Sequence, residues 1–106
     1  QDKGRLFENA VYIELKRRGK VLFYHKDLKE CDFIVVDNHR VQQVIQVSLS
    51  IVEPAVRKRE IGGLLQAAKR TGAQDAIILT LEEEEDLVFE GVRIKVIPAI
   101  KWFLDK

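Results

Sequence analysis

Methionine is absent from the 106-residue sequence, and cysteine, tryptophan and proline are scarce, at one, one and two residues. Each scarcity excludes something. A lone Cys31 forms no intramolecular disulfide, so no disulfide framework carries the fold, and a reducing, cytoplasmic setting is the simplest expectation. Six glycines and two prolines exclude collagen and low-complexity linkers. No apolar run approaches the ~18 residues of a membrane span, and no signal peptide opens the chain, so no membrane partner is expected. Charge of one sign is lacking too: 18 Lys plus Arg face 17 Asp plus Glu, a formal net charge of +1. That balance excludes a uniformly basic nucleic-acid wrapper. It leaves room for a local basic surface, because the charges are clustered.

What is present is an ordinary globular composition, 46% apolar and 33% charged. The length fits one domain, residues 1–106, which should bury somewhat over ~60% of its unfolded surface. A start methionine before a side chain as large as Gln1 is not usually trimmed. The missing methionine therefore leads us to expect a piece of a longer polypeptide.

Gly4 to Arg18 reads as a helix. Leu6, Ala10 and Ile13 lie on one stripe and Phe7, Val11 and Leu15 on the next, together a broad apolar face, with Lys16, Arg17 and Arg18 in the last turn and Gly19 as the stop. Val21 to Tyr24 is a short strand. Asp32 to Asp37 is a second, and Asn38-His39 turns into a third, Val41 to Leu49, forming a hairpin. The successive apolar residues Phe33 to Val36 indicate burial on both faces of a sheet. Arg57 to Arg70 is the clearest helix, with Ile61, Leu64, Leu65 and Ala68 at i, i+3, i+4 and i+7 and Gly72 as the stop. Asp75 to Thr80 is a buried-type strand. Glu82 to Asp86 reads as an exposed, solvated turn before Leu87 to Glu90, Gly91 and a strand from Val92 to Ile97. Pro98 opens a last helix through Leu104, at its favoured first position. The predicted order is α-β-β-β-α-β-β-α, an α/β three-layer sandwich with a central mixed sheet whose βαβ unit is parallel.

Most familiar chemistries are missing. Gly62-Gly63 sits inside a helix and lacks the spacing and lysine of a phosphate-binding loop. His25, His39 and Cys31 cannot complete a four-ligand zinc site, and Cys31 lacks partners for a thiol nucleophile; the two histidines read as surface residues in or beside turns. What remains is a spacing. Glu8 lies on the first helix at the edge of its apolar stripe, Asp32 opens the second strand, and Gln46 and Ser48 sit two apart on one face of the third. Together they outline an all-oxygen pocket suited to a hard cation, which could activate water at a phosphoryl centre.

In this layout the chain resembles the PD-(D/E)XK nuclease superfamily, with its restriction-endonuclease-like fold. More narrowly, it is similar to the C-terminal nuclease-like domain that follows AAA-type ATPase modules in archaeal and bacterial proteins. The resemblance rests on Gly4-Arg5-Leu6-Phe7-Glu8-Asn9, Glu30-Cys31-Asp32-Phe33-Ile34-Val35, Ile45-Gln46-Val47-Ser48, Arg59-Glu60-Ile61 and Val96-Ile97-Pro98, in that order across nearly the whole chain. It implies Glu8, Asp32 and Gln46 as ligands of magnesium or manganese. It also implies an ATPase domain in the same polypeptide, with ATP entering only through that domain. Two positions depart from the family pattern. Gln46 stands where an acid is usual, a tolerated variant, and Ser48 stands where the family has its lysine. The lysine stabilises developing negative charge, and losing such a group typically costs ~10²–10³ in rate. Lys58 on the second helix is a possible substitute donor, whereas Arg59, Gln66 and Arg70 share a solvent-facing side.

Basic residues gather at helix ends, Lys16, Arg17, Arg18 and Lys20 in one cluster and Arg57, Lys58, Arg59, Lys69 and Arg70 in the other; these are the candidates for phosphate contacts with DNA. Structural readings stand beside all of these: paired acids, a satisfied polar pair in the sheet, solvated helix caps. Three functions follow. The first is a nuclease-fold domain with a degenerate centre at Glu8, Asp32, Gln46 and Ser48 that binds DNA or regulates. The second is an active magnesium-dependent deoxyribonuclease, and the third a protein-interaction or oligomerisation domain.

Overall fold

The apolar runs assemble into one six-stranded sheet in the computed structural model, which describes residues 2–23 and 31–105. Tyr24, His25 and Glu30, assigned above to a strand, a turn and the approach to the second strand, lie outside the described residues. The elements are α1 (Lys3–Arg17), β1 (Val21–Phe23), β2 (Phe33–Asp37), β3 (Arg40–Val47), α2 (Pro54–Thr71), β4 (Asp75–Thr80), β5 (Glu85–Phe89), β6 (Val92–Pro98) and α3 (Ala99–Leu104).

The sheet runs β1-β2-β3-β4-β6-β5. Its centre, β3-β4-β6, is parallel, and both flanks are antiparallel. The fold is therefore α/β with a mixed sheet, and α2 is the crossover of the expected parallel unit, β3-α2-β4. Two-sided burial follows from the alternation of side chains. Ile34, Val44, Ala76, Ile78, Ile94 and Val96 pack with Ile61, Leu64, Ala67 and Ala68 of α2. Phe33, Val35, Ile45, Ile77 and Leu79 pack on the opposite face with Phe7, Val11 and Leu15 of α1 and Trp102 of α3. Helices thus cover both faces, giving the three layers.

Two tight hairpins set the register. Asn38 and His39 have φ of 51° and 63°, Glu90 and Gly91 have 50° and 81°, and each pair joins antiparallel neighbours. Positive φ at both central residues gives the twist that suits adjoining strands. A register shift between Val35 and Val36 marks a bulge in the first hairpin.

Four expectations need correction. The order is α-β-β-β-α-β-β-β-α, because Glu85–Phe89 forms an edge strand antiparallel to β6. Its start lay inside the acidic stretch assigned to a solvated turn. That stretch is tied down: Ile51 N–H donates to Glu83 Oε1 at 2.7 Å, Thr80 Oγ1 donates to the Glu83 carbonyl at 2.9 Å, and Glu84 pairs with Lys101. Helix α2 begins at Pro54, three residues earlier than expected, with that proline in its first turn. Pro98 ends β6 and caps α3 from outside, with extended φ and ψ of −68° and 143°. Finally, only one stripe of α1 is buried. Leu6 and Ile13 are 58% and 57% exposed, and Ala10 is exposed too.

Candidate functional site

The open end of the β2-β3 hairpin carries the polar residues. Phe33 pairs with Ile45, so the next step outward sets Asp32 across from Gln46. The Asp32 N–H donates to the Ile45 carbonyl at 3.1 Å. β2 ends here, and the Asp32 carboxylate takes over the role of a strand carbonyl, accepting the Val47 N–H at Oδ2 at 2.7 Å. Beyond it, Ser48 N–H donates to the Leu79 carbonyl at 2.9 Å, and Ser48 Oγ donates to the Ser50 carbonyl at 3.0 Å. Asp32 and Gln46 lie two residues from Ile34 and Val44, which pack against α2. By alternation they share that face.

The electrostatics at this end are unfavourable to charge. Burial pushes the Asp32 carboxyl up to about 6, the Val47 N–H bond opposes the rise, and the charges of Glu8 and Glu60 add to it. Glu8 comes from α1 and is half-buried. Glu60 comes from α2, and its side chain is 12% exposed, with Arg59 Nε 3.5 Å from Oε2. Carboxylates from both helix layers therefore bear on Asp32. Next to it Gln46 is 8% exposed, and among the described residues its buried Oε1 has no hydrogen-bond partner. Gln42 Oε1 is orphaned in the same way. A buried oxygen left unpaired costs about 1–3 kcal/mol.

The site thus brings Asp32 and Gln46 together on adjacent strands and places Glu8 within electrostatic reach; Ser48 is engaged with its own loop. Glu60, named in the sequence only as part of the Arg59-Glu60-Ile61 motif, was not among the predicted site residues. Its signal was its place beside Ile61 and one turn before Leu64, on the side of α2 that meets the sheet. Among the described residues no group of three His, Cys, Asp or Glu side chains converges to hold a metal ion. The expected ion is magnesium, and Asp32 and the Gln46 amide oxygen are the donors that could face it. That ion keeps several waters and takes one or two protein carboxylates, and here it would find one carboxylate and one orphaned amide oxygen.

The basic candidates divide between the two ends of the sheet. Arg57, Lys58 and Arg59 stand in the first turns of α2, which follows β3 and so lies at the Asp32 end. Lys16 to Arg18, and Lys69 with Arg70, close α1 and α2 towards the Asn38-His39 turn. Several spend their charge within the fold. Arg57 makes two bonds to Glu85 at 2.7 and 2.8 Å, and Lys69 pairs with Glu90. Arg17 and Arg18 both bond Glu14 at 2.7–2.8 Å, drawing its carboxyl down to about 2. Arg18 also stacks 4.4 Å from the Trp102 ring centroid and donates to the carbonyls of Trp102 and Asp105, both at 2.8 Å. Lys16 and Lys58 are exposed.

No family model and no solved structure matches the chain. It is similar to an uncharacterized protein of Methanocaldococcus jannaschii, at 33% identity over 116 aligned residues. The alignment takes in 98% of this chain and 25% of the relative, so the chain spans about a quarter of the length of the curated protein it matches. Among the described residues no helix is long and apolar enough to cross a membrane.

Proposed function

We propose that this is a nuclease-like, restriction-endonuclease-type domain of a longer ATPase-type protein, with a weakened magnesium centre that binds DNA and cleaves it poorly. The observation that carries the reading is the pairing of Asp32, raised to about 6, with the buried and unpartnered Gln46 Oε1 on the neighbouring strand. Perturbed carboxyls and unpaired buried polar groups gather at binding sites, and their meeting here is what supports the reading. Asp32 and the Gln46 amide oxygen would hold the ion directly, and Glu8 and Glu60 would hold its waters. When bound, the ion polarises a phosphoryl oxygen and lowers the pKa of a coordinated water.

The chain's own residues account for the weakness. Gln46 contributes no charge, so the ion meets less negative charge than in the family pattern. Ser48 offers neither a cation nor a directed hydroxyl, because its Oγ is bonded to the Ser50 carbonyl. Lys58 supplies positive charge at the same end of the sheet, from an exposed position suited to holding a phosphate backbone.

The test is restoration. Replacing Gln46→Glu together with Ser48→Lys is expected to raise magnesium-dependent cleavage of supercoiled DNA by ~10² or more over the wild-type chain. Efficient cleavage by the wild type, abolished by Asp32→Ala, would replace this reading with that of an active deoxyribonuclease. The exposed Leu6 and Ile13 on α1 favour a second reading, a protein-interaction surface on the opposite layer, which would make the chain a docking module.

A further inference from the structure

The polar stripe of α1 has a site of its own. Arg5, Glu8, Asn9 and Tyr12 follow i, i+3, i+4, i+7, one strip of helix surface beside the buried Phe7, Val11 and Leu15. With Phe33 they line a pocket of about 340 Å³. The Tyr12 and Phe33 rings stack with centroids 6.3 Å apart and planes 25° from parallel. Phe33 is 1% exposed, so a core residue holds the tyrosine ring in place while Tyr12 itself is only half-buried. The link to the Asp32 centre is Glu8, which lines the pocket and whose charge bears on Asp32 at the same end of the sheet. Phe33 itself faces α1, whereas Asp32 faces α2.

We propose that this pocket is a subsite for one unpaired nucleotide of a single-stranded or frayed nucleic acid whose neighbouring phosphate lies at the Asp32 centre. The inference rests on the magnesium-centre reading above and names its substrate class. Tyr12 supplies an aromatic platform for the base, Asn9 an amide able to donate and accept at a base edge, and Arg5 a cation for the adjoining phosphate. Glu8 can accept a sugar hydroxyl or hold an ion's water. The volume falls in the usual range for ligand pockets, ~300–1,000 Å³. A base inside a duplex is already stacked and cannot reach a tyrosine ring, so the pocket discriminates against blunt double-stranded DNA.

Binding of a short fluorescent single-stranded oligonucleotide, and of a blunt duplex of the same sequence, to the chain in manganese tests this by anisotropy. The single strand should bind several-fold more tightly than the duplex. Tyr12→Leu should lower its affinity about tenfold while Tyr12→Phe retains it. Arg5→Gln, at an exposed position that leaves the core untouched, should weaken binding and reduce the salt slope by about 0.7. Equal binding of strand and duplex, unchanged by Tyr12→Leu and Arg5→Gln, overturns the subsite and leaves the magnesium-centre reading standing. Binding of neither probe overturns both.

Discussion

Two charge clusters in this molecule are built in opposite ways. At the C-terminal end of α1, Glu14 sits between Arg17 and Arg18, its carboxyl is drawn down to about 2, and Arg18 continues to Trp102 and Asp105 of the α3 region. At the open end of the β2-β3 hairpin, Asp32 sits between Glu8 and Glu60, is pushed up to about 6, and has an orphaned amide oxygen for a neighbour. In the first, every charge is answered from within the chain, and the result is a clasp between α1 and α3. In the second, like charges gather on a buried carboxyl, opposed by the Val47 N–H on Asp32 and by Arg59 beside Glu60. The Gln46 oxygen there has no partner among the described residues. Stability explains the first. The second is a cost that the proposed ion binding would offset.

Removing the charge of Asp32 should have the largest effect. The folded chain holds this proton more tightly than the unfolded chain, whose carboxyl has its ordinary value of 3.8. Asp32 therefore costs nothing below about pH 4, its cost grows as the pH rises from about 4 to about 6, and it stays constant above that. Asp32→Asn keeps an acceptor for the Val47 N–H, and should stabilise the metal-free chain by roughly 1–3 kcal/mol at pH 7 and by almost nothing at pH 4. Urea denaturation at the two pH values measures this. The opposite cluster should answer in the opposite sense. Arg18→Ala removes the ring contact, the Glu14 pair and two carbonyl bonds, and should destabilise by about 1–2 kcal/mol, lowering the thermal midpoint by roughly 4–15 °C.

These clusters also mark where the sequence was legible. The order of β2, β3, α2 and β4 followed from unbroken apolar runs, a polar turn at Asn38-His39 and the spacing of Ile61, Leu64 and Ala68. Those are local signals. Glu85–Phe89 was missed because its first residues looked like solvated acids, when Glu85 in fact answers Arg57, 28 residues away. Leu6 and Ile13 misled in the other direction, since an apolar side chain carries no obligation to be buried. At the site, Asp32 and Gln46 were legible from strand position and alternation. Glu60 was not, because only the packing of α2 on the sheet brings its charge to bear on Asp32, 28 residues earlier.

Two smaller effects sharpen the comparison. Gln46→Leu fills the same buried space without an orphaned oxygen. It should raise metal-free stability by up to about 1 kcal/mol in thermal denaturation and weaken manganese binding about tenfold. Arg57→Ala breaks a half-exposed pair with Glu85 and should cost less than about 1 kcal/mol, an effect that shrinks in high salt.

The most direct measurement is the thermal midpoint at pH 7 of the wild type and of Asp32→Asn, each with and without manganese. The account predicts that the metal-free variant melts above the metal-free wild type, and that manganese raises the wild-type midpoint alone. A manganese shift equal in both proteins, or absent from both, would contradict it.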